Sequence, residues 1–257
     1  MKYYVVSDVH GFYTPLVEAL TEAGFFAETE PHKLIVCGDM MDRGREAVKM
    51  QEFMLKLLEE DKLIFVKGNH EELLETMLRD LKESRWGFEW GYSYHISNGT
   101  WGTALQLTDF TDGDATRKYQ EFIEKVKATD FYTKLIPASV DWFETPNYIF
   151  VHGWIPCTQV GKKYIFNPDW RNSNSVQKHT ARWVNGMQLA EEFNVVEPNK
   201  KIVCGHWHAS FGHCAYEKKG SEFGKTADFT PYYGNGVIAI DRCTAHTGKV
   251  NVLVIED

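Results

Sequence analysis

The chain of 257 residues contains no run near the roughly 18 consecutive apolar residues of a membrane span. Its first residues, Met1 to Asp8, lack the long apolar stretch and small-residue cleavage site of a secretory leader. Cysteine is scarce and unpaired in pattern: Cys37, Cys157, Cys204, Cys214 and Cys243 are an odd set without the close spacing of a disulfide framework or zinc ribbon. Positive charge is in deficit, with 28 Lys+Arg against 36 Asp+Glu for a formal net charge of −8, and no Lys/Arg stretch is clustered. This argues against a nucleic-acid partner, whose binders carry a basic face. A content of 43% hydrophobic and 25% charged residues excludes disordered, collagen-like and coiled-coil classes. The expectation is a globular chain of the reducing cytoplasm with neither a membrane nor a nucleic acid as partner. Cys37 and Cys204, each closing an apolar run, then serve as small buried hydrophobes.

What is present is a repeated pattern: a short β-branched apolar run that stops at Gly, Asp, His or Asn. Tyr3 to Val6 runs into Asp8-Val9-His10-Gly11, Leu34 to Cys37 into Gly38-Asp39, and Leu63 to Val66 into Gly68-Asn69-His70. Tyr148 to Val151 ends at His152-Gly153, and Ile202 to Cys204 at Gly205-His206-Trp207-His208. Five buried strands thus present polar side chains at their C-terminal ends, where open α/β sheets place ligands. Helices fill the early gaps. Thr14-Pro15 reads as an N-cap followed by proline, with Leu16, Leu20 and Ala23 on one face and Gly24 as the stop. Ala47, Met50, Met54, Leu57 and Leu58 make a second stripe, and Leu73, Leu74, Met77, Leu78 and Leu81 a third. The tail, Gly236 to Asp241 and Lys249 to Ile255, reads as two strands with no helix between them.

These signals predict an α/β fold, a layered β-sandwich flanked by helices. We expect one domain over residues 1–257, with a cap-like, aromatic-rich insertion at about 86–136. Within it Trp86, Phe88, Trp90, Tyr92 and Tyr94 recur every two residues, the period of one strand face. Such a row packs a cap or stacks a ring. Tyr119, Phe122, Ile123 and Val126 mark a helix that closes the insertion, and Ser210 to Gly236 is rich in loops.

The strand ends supply metal ligands. Asp8, His10, Asp39, Asn69, His152, His206 and His208 combine carboxylate, amide oxygen and imidazole, a mixture suited to iron, manganese or zinc rather than calcium. Seven ligands exceed the needs of one ion but serve two that share Asp39. Paired ions sit roughly 3.5–4 Å apart, within the span of one carboxylate.

Taken together, Asp8-Val9-His10-Gly11, Gly38-Asp39-Met40-Met41-Asp42-Arg43-Gly44, Gly68-Asn69-His70-Glu71, His152-Gly153 and Gly205-His206-Trp207-His208 resemble the five motifs of the calcineurin-like metallophosphoesterases. They stand in the family's order across residues 8 to 208. The unbroken second and third motifs are similar to those of serine/threonine phosphoprotein phosphatases and symmetrical dinucleoside tetraphosphatases. Asn98-Gly99 with Thr103 resembles an element of bacterial and phage members, Thr100 replacing a second glycine.

The resemblance implies two divalent or trivalent ions, manganese foremost, with iron or zinc as alternatives. Asp8, His10 and His208 would hold one ion and Asn69, His152 and His206 the other, with Asp39 between them. His70 matches the general acid, Asp42 the carboxylate that orients it, and Arg43 an arginine that grips phosphate. A hydroxide bridging the ions would attack phosphorus while His70 protonates the leaving group. Asn69 also faces the substrate, and Arg171 and Arg182 are the candidates for a second phosphate-gripping arginine. Assigning His208 borrows from the wider superfamily, and Trp154 stands where many members have glycine. His32, His95, His179, His213 and His246 read as core or surface residues. The implied function is a phosphomonoesterase acting on phosphorylated protein or a small phosphoester. The alternatives are a symmetrical dinucleoside polyphosphate hydrolase and a non-catalytic metal-binding interaction protein.

Overall fold

A computed structural model of the chain describes residues 1–83 and 88–257. Its first half runs β1 (Lys2–Val6), α1 (Tyr13–Glu22), β2 (His32–Cys37), α2 (Ala47–Glu59), β3 (Leu63–Val66) and α3 (Asn69–Glu83). Helices α4 (Phe88–Ser97), α5 (Thr100–Thr108), α6 (Asp112–Arg117), α7 (Tyr119–Lys127) and α8 (Ile136–Ala138) follow. Then come β4 (Phe143–Glu144), β5 (Tyr148–Phe150), β6 (Thr158–Val160), β7 (Lys163–Ile165), α9 (Ser175–Trp183) and α10 (Gly186–Phe193). The chain finishes with β8 (Lys201–Cys204), α11 (Ala209–Ala215), β9 (Tyr232–Tyr233), β10 (Val237–Ala239), α12 (Thr244–Thr247) and β11 (Leu253–Glu256).

Two sheets form. The first has the order β11-β1-β2-β3, with β1, β2 and β3 parallel and β11 antiparallel to β1. The second has the order β4-β5-β8-β10-β9, its three inner strands parallel and its edges antiparallel. Period-two alternation decides how they pack. Val5, Ile35, Cys37 and Val66 from one sheet meet Phe150, Val203 and Ile238 from the other in a buried layer between them. The alternate residues Tyr4, Val6, Leu34, Val36 and Phe65 turn to the opposite face and pack with Leu16, Leu20, Met50, Met54, Leu74 and Met77 of α1 to α3. Ile149, Ile202, Cys204 and Val237 do the same on the second sheet, against Met187, Leu189 and Ala190 of α10. The result is a layered sandwich with helices outside both sheets, as the apolar runs predict. Burying each large side chain is worth roughly 1.5–3 kcal/mol.

Local differences have physical causes. Helix α1 begins at Tyr13, and Thr14 does not cap it. Its amide and hydroxyl instead donate to the Glu46 carboxylate at 2.9 and 2.8 Å. Gly24 does stop the helix, at φ 85°. The aromatic row fails as a strand because Phe88–Ser97 is helical; Trp86 lies outside the described residues. Ser210 to Gly236 contributes α11 and the edge strand β9. The two tail strands are separated by the one-turn helix α12, which carries the chain from the second sheet to the first. Trp101, Phe122, Ile123 and Val126 of α5 and α7 share the core of α1 to α3.

Candidate metal centre

The C-terminal ends of six parallel strands from the two sheets meet at one cavity. Asp8 and His10 follow β1, Asp39 follows β2 and Asn69 follows β3, while His152, His206 and Asp241 follow β5, β8 and β10. Main-chain bonds zip the loops together: Asp8 N–H donates to Gly38 O at 3.2 Å, His10 N–H to Asp39 O at 3.0 Å, and Gly205 N–H to His152 O at 2.8 Å. Left-handed backbone clusters here, at Asp8, His10, Asp39, Asp42, Arg43 and His206, with φ between 48° and 76°. Such geometry costs of order 1–3 kcal/mol per residue and concentrates at functional sites. A cavity of about 130 Å³ is lined by Asp8, His10, Asp39, Arg43, Asn69, His70, His206 and Asp241, together with Asn98 and Trp183.

Histidine tautomers follow from the second ring nitrogen. His10 Nδ1 donates to Met41 O at 3.0 Å and His152 Nδ1 to Cys37 O at 2.8 Å, so in the Nδ1–H tautomer each ring turns its Nε2 lone pair inward. For His152 that lone pair faces Asn69 Oδ1 at 2.7 Å and Asp39 Oδ1 at 3.3 Å. Three acceptors converge, and a cation satisfies all of them. His10 Nε2 accepts from Arg43 Nη1 at 3.0 Å and lies 3.8 Å from Asp39 Oδ2. Ligand atoms within 4.8 Å of one another fall into two groups that share Asp39: His10, Asp39 and His70, and Asp39, His152 and His206. Asp8 stands beside them, its Oδ2 accepting from the Ser7 hydroxyl and from His206 N–H at 2.8 Å. The donor set therefore fits two ions that share one carboxylate.

Charge follows position. Burial works against an ionised Asp39, but His152, His70 and His10 outweigh it and hold the carboxyl below its usual range. Burial keeps His10 neutral, and burial with the adjacent His152 lowers His206 to about 4. Burial and Asp39 push Glu71 up to about 7. Its carboxylate accepts main-chain N–H groups of Asp39, Met40 and Gly68 at 3.1, 3.0 and 2.7 Å, fastening β2 and β3 loops together. A Cβ on Gly68 would lie 2.3 Å from Asp39 Oδ1, so only glycine fits there.

Beside this centre, His70 Nδ1 bonds Asp42 Oδ2 at 2.7 Å, while His70 Nε2 sits 3.8 Å from Asp39 Oδ2 and 3.2 Å from Arg43 Nη2. Burial opposes a charge on the ring, yet Asp39 and Asp42 prevail and raise His70 to about 9. Asp42 is braced in turn: Thr100 Oγ1 donates to Oδ2 at 2.7 Å, and Thr103 Oγ1 accepts Asp42 N–H at 3.0 Å. Gly99, at φ 88°, lets α5 approach, since a Cβ would lie 2.1 Å from Arg43 N.

Three sequence-predicted residues are placed elsewhere. His208 is not brought to the ligand cluster: it sits at the head of α11, its Nε2 3.3 Å from Glu222 Oε1 and its ring against Phe223. Arg171 forks onto Glu144 at 2.7 Å and stacks on Trp170, so its guanidinium is spent on carboxylates. Arg182 lies behind His152, paired with Glu72 and Asp141. The contributions of Thr100, Glu71, Trp183 and Asp241 were not read from the sequence. Asp241 ends the apolar run Gly236 to Ile240 just as Asp39 ends its own, while Glu71 and Thr100 stood within quoted motifs without these roles.

Among known proteins, the chain is similar to the asymmetrical bis(5'-nucleosyl)-tetraphosphatase PrpE of Bacillus velezensis, 24% identical over 63% of this chain and 60% of the relative. It is also similar to serine/threonine-protein phosphatase 2 of Salmonella typhimurium, 35% identical over 41% of this chain and 42% of that protein. The chain thus spans about three-fifths of the Bacillus relative's length and less of the Salmonella one. In fold it is similar to a cold-active protein-tyrosine phosphatase from a psychrophilic Shewanella, with a TM-score of 0.51 and 15% identity over 100% of this chain and 75% of that one. The calcineurin-like phosphoesterase family model matches residues 1–210, a stretch that holds every strand-end ligand candidate named from the sequence, and the chain belongs to that family.

Proposed function

We propose that the chain is a dinuclear metal-dependent phosphoester hydrolase, a phosphomonoesterase of the serine/threonine protein phosphatase type. The observation that carries this reading is the Asp42–His70 hydrogen bond, which aims His70 Nε2 into the cavity between Asp39 and Arg43. Asp8, His10 and Asp39 would hold one ion and Asp39, Asn69, His152 and His206 the other, with manganese as the working metal and iron or zinc as alternatives. Bound there, such ions activate water and neutralise phosphoryl oxygens.

The chain's own residues supply the rest. With a pKa of about 9, His70 carries at neutral pH the proton that a departing alkoxide needs. Asp42 keeps Nδ1 occupied, so the proton is delivered from Nε2. When His70 is charged, its contact with Arg43 sets two cationic donors 3.2 Å apart, and a phosphate oxygen accepting from both removes the repulsion. Arg43 is exposed at the mouth, and its guanidinium reaches inward to His10 and His70.

A second reading, dinucleoside polyphosphate hydrolysis, is favoured by one observation. Past Arg43 a wider groove of about 540 Å³ carries Arg45, Ile96 and Trp101 on its walls, room for further phosphates beyond the reacting one. The Bacillus relatives are named for that substrate.

The test is turnover by manganese-loaded protein of a phosphothreonine peptide, an aryl phosphate and diadenosine tetraphosphate. The expected result is monoester hydrolysis that falls about 10²–10⁴-fold in His70→Asn with metal content unchanged. Preferential cleavage of the dinucleotide transfers the assignment to the second reading. Two ADP per substrate would mean symmetrical cleavage, and ATP with AMP asymmetrical. Inertness toward all three with both ions bound would reject hydrolysis in favour of an interaction protein.

A further inference from the structure

Five of the described tryptophans differ in how their indoles are held. Trp101, Trp154 and Trp170 are buried, and their indole N–H groups donate to Asp112 Oδ1, Val195 O and Glu197 Oε2 at 2.7, 2.8 and 2.8 Å. Trp183 and Trp207 are 37% and 38% exposed, and neither indole N–H has a partner among the described residues. Both are fixed to the same metal-ligand candidate. Trp183 ends α9 and lines the cavity, its ring 6.1 Å from the His206 imidazole at 81°. Trp207 follows His206 in sequence, its ring 6.2 Å from that imidazole at 66°, and it is steadied by Phe211 at 6.0 Å.

A half-exposed indole in edge contact with a ligand-candidate imidazole leaves an apolar ring face open to solvent beside a polar cavity. Scattered apolar residues on a surface need no explanation, but two partly exposed rings against one imidazole beside the candidate phosphate groups offer a contact surface. We infer that Trp183 and Trp207 form a stacking subsite for a planar aromatic ring carried on the phosphorylated group of the substrate. Charge at Arg43 and the cation ligands addresses the phosphoryl end, and the two indoles address what is attached to it. Their free N–H groups favour a ring with polar edges, phenolic or heteroaromatic, over an alkyl chain. The inference deepens the phosphoesterase reading and rests on it, while its binding arm stands without turnover.

The experiment compares ligands that differ only by a ring. Calorimetric titration of manganese-loaded protein with phenethylphosphonate and propylphosphonate measures the ring's contribution, and the matching phosphate esters give kcat and KM. The expected result is about tenfold tighter binding of the ring ligand to the native protein, a preference lost in Trp207→Leu and in Trp183→Leu and largely kept in Trp207→Phe. The esters should show the same loss in KM rather than kcat, confined to the ring-bearing ester. Metal content verifies that each variant keeps its fold. Equal affinity of the native protein for both phosphonates, or equal weakening of both by the substitutions, would overturn the subsite. Absence of turnover with the ring preference intact would instead count against the phosphoesterase reading alone. Phosphonate analogues of phosphotyrosine and of AMP then separate a peptide ring from a nucleobase, the tighter ligand naming the source.

Discussion

The first-sheet rim of the cavity and the second-sheet rim hold their functional groups in different ways. On the first, Asp39, Asp42, His70 and Glu71 are linked through side-chain and main-chain bonds into one network, and two hydroxyls of α5 complete it. On the second, the His152 and His206 rings bond the main chain at Cys37 and Trp183, and their neighbours Trp183 and Trp207 stand partly in solvent. Proton transfer tolerates little misplacement, and the proposed function would draw its proton from this over-determined network. Substrate selection needs a surface that reaches outward, the role inferred above for the sparser rim.

Asp39 belongs to both rims, and its loss should have the largest effect. We expect Asp39→Asn to lower turnover by about a thousandfold or more and to cut bound metal from two ions to one or none, as elemental analysis after dialysis would show. Two retained ions would break the view that one carboxylate joins the halves. Thr100→Val removes a donor from the first-rim network without touching the ligands. A fall of about 10–100-fold in kcat with KM and metal content preserved is expected, the usual cost of losing such a supporting bond. An unchanged kcat would show the network to be over-built.

The pH dependence isolates the same network in metal-free protein. His70 has a folded pKa of about 9 against 6.5 for a free imidazole, so its pairing with Asp39 and Asp42 stabilises the fold fully below pH 6.5 and fades as pH rises through about 9. Urea unfolding should therefore separate native protein from His70→Asn at pH 6 and bring them together near pH 10; a gap that widens with pH would contradict this sign. The smallest effect is expected at Arg171, which lies on the second half but serves Glu144 and Glu197. Arg171→Gln should leave KM for phosphate esters within twofold and cost about 1 kcal/mol of stability or less. A raised KM would return Arg171 to the site.

Strand identity was legible because buried parallel strands are continuous β-branched runs, and the runs ending at Asp39, Asn69, His152 and His206 carried their ligands visibly. The period of two from Trp86 to Tyr94 misled, because a spacing in sequence does not by itself choose between strand and helix. Local chemistry likewise left Thr14 as a cap, whereas Glu46, 32 residues away, offered it a stronger acceptor.

The sequence by itself determined the layered α/β architecture and the set of polar groups at strand ends, since both follow from local patterning of apolar and turn residues. Only the tertiary structure decided which of those groups share a cavity. His206 and His208 are two residues apart, yet one faces Asp39 while the other turns at the head of α11 toward Glu222. Thr100, Trp183 and Asp241 lie far apart in the chain and reach the site because two sheets packed face to face bring the C-terminal ends of their strands to one cavity. Direction in space is set by packing against distant residues, and no local spacing encodes it.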